Sequence, residues 1–210
     1  MAGEWGLPPV PPYKPRRREV KIIGSRDIAL TAVFSALYAI AVISQGLSAA
    51  ASVQLRFADC LLPLSAIFGW PVIAGVSIGC FIGNAYLSSS LPNGIYDIIF
   101  GPIANLLATL IIFRLRHSKF LGCMLAAFAI GIIVGGYIWI IPGLREAIAS
   151  LAKFLLGNEA LPPLWILTIL SMTVSSLIAI AGIGYTLLKI LSKKETLNML
   201  KAKGFKIYES

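Results

Sequence analysis

Long apolar stretches alternate along the chain with short polar connections. Since roughly 20 apolar residues in a helix cross a hydrocarbon core about 30 Å thick, five of these stretches are predicted to span a membrane. They cover residues 28–47, 72–87, 96–113, 120–141 and 164–191. The pattern therefore predicts a polytopic helical membrane protein.

A sixth apolar run covers residues 57–70 and ends at Pro71. Together with the run that follows it is too long for one span, so we expect a short helix, a tight turn at residues 69–71 and a returning helix. The short helix carries Asp59, so it need not face lipid along its whole length. With this run included, the predicted fold class is all-α, with six transmembrane helices in one bundle.

Composition and charge agree with a membrane bundle and predict its orientation. Hydrophobic residues make up 58% of the chain and charged residues 13%, about half of the roughly 25% that is usual in soluble domains. The 18 Lys and Arg residues, against 9 Asp and Glu, concentrate before the first span, between the fourth and fifth, and after the sixth. Because basic residues beside spans stay on the cytoplasmic side, both termini are predicted to be cytoplasmic, with the bundle in the cell membrane.

The chain thus divides into three predicted regions. Residues 1–27 form a proline-rich, basic cytoplasmic tail, residues 28–191 the transmembrane domain, and residues 192–210 a second basic tail. Residues 142–163 are too polar to span, and their amphipathic centre predicts a short helix at the membrane surface. The positive charge is not expected to bind nucleic acid, because no basic folded module is present to read bases.

Small residues at four-residue spacing predict where helices approach closely. Gly75, Gly79 and Gly83 form one such ridge, and a second group lies at residues 131, 135 and 136. Ala32 and Ala36 make a third small-residue face on the first span. Spacing alone favours packing within the chain at this third face over contact with another protein.

The polar residues that interrupt the apolar pattern are the candidates for chemistry. The stretch VQLRFADCL, residues 53–61, carries Gln54, Arg56 and Asp59 between two apolar runs, and Asp97 begins a later span. Charge at the end of a membrane helix is costly unless it is paired, hydrated or in use. We expect the two stretches to converge near one membrane face and to form a small-molecule site.

Two structural alternatives stay open for these charges. Arg56 and Asp59 lie three residues apart and could simply pair on a helix. Asp97 could cap the helix that begins beside it. Asp97, Gly101 and Asn105 repeat every four residues, so they are expected to share one helical face.

Catalytic and metal chemistry have no support in the sequence. The chain contains no HExxH, GxSxG or Walker A motif, and its three cysteines and one histidine show no metal-ligand spacing. We therefore expect neither an enzyme nor a bound cofactor or metal. The chain also lacks the repeated halves that mark many self-sufficient transporters, which implies a partner that supplies energy.

Three motifs resemble those of the QueT family, the substrate-binding components of energy-coupling-factor transporters. They are VQLRFADCLLPL, GVSIGCFIGN and YDIIFGPIANLLATL, and the resemblance is clear over residues 28–115. It implies a six-helix membrane subunit that captures a queuosine precursor, a cyano- or aminomethyl-deazaguanine, from outside. Such a subunit would dock on a membrane coupling subunit driven by two cytoplasmic ATPases.

The resemblance also implies roles for particular residues. The family motifs place substrate contacts at Gln54, Arg56, Asp59, Asn84 and Asp97. Asp59 stands where the family usually has glutamate, and Ala58 where serine is common, so the carboxylate reaches about one methylene less far.

Four further residues are given expected roles. Tyr96 and Asn105, which lie close to Asp97 or on its face, are added to the expected substrate contacts; anchoring at the membrane interface is the alternative for Tyr96. The resemblance implies that Ala32 and Ala36 form the docking face for the coupling subunit. The remaining alternatives are a different vitamin-like ligand, or a membrane protein whose polar residues only tie helices together.

Overall fold

The computed structural model describes residues 24–48, 56–88, 94–140 and 163–208, with residues 146, 149–150, 153–154 and 157 between the last two ranges. Within these ranges the chain is helical and contains no strand. The helices are α1 (Ser25–Ser48), a 3-10 helix (Phe57–Leu64) continuing into α2 (Ser65–Phe68), α3 (Trp70–Ser88), α4 (Gly94–Arg114), a 3-10 turn (Arg116–Ser118), α5 (Lys119–Ile138), α6 (Leu164–Ser176), a π-helical segment (Leu177–Gly184), α7 (Tyr185–Leu191) and α8 (Lys194–Ala202).

The structure confirms the five long helices that the apolar runs predict. Candidate spans are Ser25–Gly46, Trp70–Ser88, Ile95–Arg114, Arg116–Ile138 and Leu164–Leu191. The last combines α6, the π-helical segment and α7. The all-helical, multi-pass class is therefore confirmed.

The span predicted at residues 57–70 differs from the other five, because its helix is too short to cross a membrane alone. It consists of eight residues of 3-10 helix and four of α-helix, with a combined rise of about 22 Å against a core of about 30 Å. From Ala58 to Gly69 every residue except Leu61 is buried. We call Phe57–Phe68 the central helix.

A glycine turn connects the central helix to α3, as the sequence predicted. Gly69 has φ +64°, a conformation that L side chains rarely adopt. Pro71 follows within the first turn of α3, where its missing N–H costs no helical hydrogen bond. The chain reverses here within three residues.

The glycine ridge of α3 packs directly on α1, as expected. A Cβ added at Gly75 would lie 2.8 Å from the Thr31 carbonyl oxygen, and one at Gly79 would overlap the Ser35 carbonyl oxygen. In the second glycine group, a Cβ at Gly135 would lie 2.6 Å from the Cα of Ile169 in α6. The prediction for residue 136 was wrong, because a Cβ there would meet nothing within 4 Å.

The small-residue face of α1 is not covered by the part of the chain that the structure describes. α3 packs on the α1 face that carries Phe34, Ser35 and Tyr38, which are all buried. Ala32 and Ala36 are exposed. The interpretation of this face as intramolecular packing was therefore wrong, because small-residue spacing marks a close-approach face but not the partner.

Both ends of the described chain meet at one end of the bundle. Arg26 donates a hydrogen bond to the Gly204 carbonyl oxygen at 3.2 Å, and the Tyr208 N–H donates to the Ile67 carbonyl oxygen at 2.8 Å. The Tyr208 ring also packs edge-on against Phe113 near the end of α4. The start of α1 and the ends of α4 and the central helix therefore share one end, which we call the terminal end.

Little of the predicted surface helix can be described. Residues 146, 149–150 and 153–154 are helical, and the Ser150 hydroxyl donates to the Glu146 carbonyl oxygen at 2.9 Å. The apolar stripe predicted at residues 148, 151 and 155 lies outside the described residues.

The α1–α3 contact generates a first prediction. Gly79→Ala should lower the free energy of unfolding by about 1–3 kcal/mol, because the added methyl group meets a backbone oxygen that cannot rotate away. Gly136→Ala is the matched control, where better helix propensity should raise stability by up to about 1 kcal/mol. Thermal unfolding in one detergent compares the two variants, and equal melting temperatures would contradict this packing.

Candidate functional site

The most buried charge among the described residues is a carboxylate on the central helix. Asp59 is 0% exposed, and Arg56 pairs with it through Nε–Oδ2 at 2.7 Å and Nη2–Oδ1 at 3.3 Å. The two residues lie three apart at the start of the 3-10 helix. The predicted pairing of Arg56 with Asp59 is therefore present.

A tyrosine from α1 adds a third hydrogen bond to this carboxylate. The Tyr38 hydroxyl donates to Asp59 Oδ1 at 2.6 Å, and the whole Tyr38 side chain is buried. Both carboxylate oxygens of Asp59 thus have partners inside the protein. A buried charge needs this many hydrogen bonds to offset the loss of water, and the same bonds hold Arg56 in one orientation.

Neighbouring helices fix the backbone at the start of the central helix. The Arg56 N–H donates to the Ser175 hydroxyl of α6 at 3.0 Å. The Gln45 side chain of α1 lies against the N–H groups of Phe57 and Ala58, and its carbonyl oxygen accepts from both when turned toward them. These contacts satisfy amides that a helix start leaves without partners, so Arg56 sits on a rigid frame.

A second carboxylate is held where α3, α4 and α5 meet. The Tyr137 hydroxyl donates to Asp97 Oδ1 at 2.5 Å. The Asn84 amide donates to the Asp97 backbone carbonyl oxygen at 2.7 Å. Gly101, one turn along α4, leaves room for the Asn84 amide, since a Cβ there would lie 2.7 Å from Asn84 Nδ2.

Cys80 connects the two carboxylate clusters. Its thiol accepts a hydrogen bond from Asn84 Nδ2 at 3.4 Å. It also lies beside Gly101 of α4, where an added Cβ would be 3.2 Å from the sulfur. Gly79, the preceding residue of α3, packs against Tyr38, since a Cβ there would lie 2.9 Å from the Tyr38 Cβ. The two sequence stretches therefore converge, at the end of the bundle opposite the terminal end.

One predicted residue lies deeper in the bundle. Asn105 of α4 is 0% exposed, and neither Oδ1 nor Nδ2 has a hydrogen-bond partner in the described structure. One turn further along, the Thr109 carbonyl oxygen accepts from the Ser65 hydroxyl of α2 at 3.1 Å. Asn105 therefore lies on the side of α4 that packs against the central helix.

Two other predicted residues stay predictions. Gln54 lies outside the described residues. Tyr96, which precedes Asp97 in the sequence, is 39% exposed. Tyr137, the hydrogen-bond partner of Asp97, is 7% exposed. The structure therefore brings together four of the predicted contacts, Arg56, Asp59, Asn84 and Asp97, and Asn105 lies deeper on α4.

Sequence reasoning missed the two tyrosines that hold the carboxylates. Membrane tyrosines usually lie at the two interfaces. Tyr38 lies in the middle of α1, and this position was a signal that its hydroxyl needs an internal partner. No comparable signal marked Tyr137, which lies at the end of α5 like an ordinary interface residue.

The arrangement is suited to hydrogen bonding of a small polar molecule. It combines a guanidinium with N–H groups that Asp59 does not use, a second carboxylate, and a buried amide. No group of three potential metal ligands occurs in the described part of the chain.

The comparison with protein families agrees with this picture of the chain. A family model described as QueT transporter matches residues 28–193. No curated protein and no solved structure matches the chain significantly. The matched range contains every residue of both carboxylate clusters.

The buried ion pair generates a second prediction. Arg56→Gln should destabilise the protein by about 3–5 kcal/mol, because it leaves the Asp59 charge buried without a cation. Tyr38→Phe should cost about 1.5–3 kcal/mol, since one hydrogen bond to a charged group is lost. Tyr96→Phe, at an exposed ring, is the control and should stay within about 0.5 kcal/mol. Denaturant unfolding measures all three, and a Tyr38→Phe variant as stable as the control would contradict this account of the pair.

Proposed function

Since this chain belongs to the QueT transporter family, we propose that it is the substrate-capture subunit of an energy-coupling-factor transporter for a deazaguanine precursor of queuosine. Membership makes it a membrane transporter protein and not a member of an enzyme family. The observation that carries the finer proposal is the convergence of Arg56, Asp59 and Asp97 at the end opposite the terminal end. The basic residues beside the spans orient the terminal end toward the cytoplasm, so the site faces outward.

The chemistry of the cluster complements a deazaguanine. This base has a ring N–H and an amino group side by side, which one carboxylate can accept together. Asp97 uses one oxygen for Tyr137, and its remaining lone pairs are suited to these donors. Arg56 uses two N–H groups on Asp59, which leaves three for the substrate's carbonyl oxygen. Gln54 stays a predicted contact.

The geometry changes the role we assign to Asp59. Because its oxygens already accept from Arg56 and Tyr38, we propose that Asp59 positions Arg56 rather than acting as the main acceptor for the base. Because the hydrogen bonds of Asp59 are all made within the protein, a second candidate function also has support. In it, the Arg56–Asp59 pair only holds helices together in a structural membrane protein.

Energy must come from a partner in this proposal. We propose that Ala32 and Ala36 form the docking face for a membrane coupling subunit that works with cytoplasmic ATPases. Both residues are exposed, and the neighbouring face of α1 is already occupied by α3. Small residues let two membrane helices approach closely, which is how such contacts gain stability in lipid.

The site generates a third prediction. Asp97→Asn should weaken deazaguanine binding roughly tenfold to hundredfold, because a charged hydrogen-bond partner worth about 1.5–3 kcal/mol is lost. Asp27→Asn at the terminal end is the matched control and should bind like the parent. Calorimetric titration gives the dissociation constants, and melting temperatures are measured on the same samples. A structural role predicts the reverse: a lower melting temperature for Asp97→Asn with parent-like affinity.

The docking face generates a fourth prediction. Ala36→Trp should block co-purification with the coupling subunit while leaving deazaguanine affinity unchanged, because a bulky ring holds the helices apart. Leu170→Trp is the control, since Leu170 is 59% exposed on α6, away from this face. Normal assembly and uptake by Ala36→Trp would contradict docking at this face.

A further inference from the structure

The side-chain amide of Asn105 is the most unusual polar group in the described structure. The side chain is fully buried, yet both its acceptor and its donor lack partners. Buried polar groups are nearly always hydrogen-bonded, and an unpaired one destabilises the protein. Thr109, one turn away and equally buried, meets this requirement by donating to the Asn105 carbonyl oxygen of its own helix at 2.7 Å.

The position of Asn105 relates it to the carboxylate site. It lies eight residues after Asp97 on α4, about 12 Å along the helix axis. The Ser65–Thr109 contact lies one turn deeper and the Arg56–Asp59 pair lies nearer the outer end of the central helix. Asn105 therefore lies deeper in the bundle than the charged cluster. Gly101 lies between Asn105 and Asp97 on the same helix.

We propose that Asn105 is the inner specificity contact of the substrate site, and that it binds an unsubstituted cis-amide-like edge of a flat heterocycle. Its Oδ1 accepts a ring N–H, and its Nδ2 donates to the ring nitrogen that one carbon atom separates from that N–H. This pairing satisfies both amide atoms at once. The inference rests on the proposed function, because the charged cluster must hold another edge of the same ring.

The contact has a consequence for which substrates are accepted. In a deazaguanine, the edge bound by Asp97 carries the ring N–H and the amino group. The adjoining edge, on the other side of the amino group, carries the pyrrole N–H and a ring nitrogen one carbon away, which is a donor next to an acceptor. A sugar on the pyrrole nitrogen removes the donor and needs space beside a side chain that is 0% exposed. The site should therefore accept the free base and reject its nucleoside.

A structural role for the amide predicts a different stability. If buried water or a helix contact satisfied Asn105 in the free protein, replacing it with leucine would destabilise the protein. If the amide is unpaired until substrate binds, leucine removes an unsatisfied polar group and keeps a similar shape. Asn105→Leu should then melt at the same temperature as the substrate-free parent or higher.

The test combines both readouts on purified protein. The parent, Asn105→Leu, Asn105→Ala and the control Thr109→Val are melted without ligand and titrated with cyano-deazaguanine, guanine, hypoxanthine and the ribonucleoside of each. We expect Asn105→Leu to lose roughly tenfold to hundredfold or more in free-base affinity without losing thermal stability. The parent should prefer every free base that binds over its nucleoside, and Thr109→Val should bind like the parent.

The outcomes separate this inference from the proposed function. If the parent binds another free base but not the deazaguanine, the proposed ligand is wrong, and the Asn105 variants still test the contact with the base that binds. Parent-like affinity in both Asn105 variants, equal binding of base and nucleoside, or no binding of any free base overturns the inference. A lower melting temperature for Asn105→Leu with unchanged affinity assigns the amide a structural role.

Discussion

The rest of the structure depends on the hydrogen bonds that hold the Asp59–Arg56 pair inside an apolar bundle. A buried ion pair is favourable only when its geometry is good and its remaining hydrogen-bonding capacity is filled. Asp59 reaches this state with two bonds from Arg56 and one from Tyr38. Each partner comes from a segment that must then be held in place, so the charge determines how α1 and the central helix are arranged.

The central helix can exist at membrane depth only because protein surrounds it. Irregular backbone is not tolerated against lipid, and an eight-residue 3-10 helix is unusually long for that conformation. α1 and α3 can close tightly beside it because the glycine ridge brings their backbones together. On another side, a Cβ at Gly184 of the π-helical segment would lie 2.8 Å from the Cys60 carbonyl oxygen. Two departures from regular α-helix therefore pack against each other, next to the proposed site.

Local patterns in the sequence predicted much of this, and contacts between distant residues account for what was missed. The Arg56–Asp59 pair and the Gly75–Gly79–Gly83 ridge are visible because their residues lie three or four apart. Tyr38 and Tyr137 could not be assigned, since each contacts a carboxylate 21 or 40 residues away along the chain. Length and hydropathy predicted a sixth span but do not show that a short apolar run is enclosed by protein. The spacing of Ala32 and Ala36 likewise did not indicate which surface they face.

We propose that the central helix presents Arg56 to an outward-facing substrate site that Asp97 and Asn105 complete. The most direct measurement is an experimental structure of the purified chain with bound cyano-deazaguanine. The account predicts ring density with its carbonyl oxygen within hydrogen-bond distance of Arg56, one edge on Asp97 and the pyrrole edge on Asn105. Density at the terminal end, or a ring that contacts neither Arg56 nor Asp97, would contradict it.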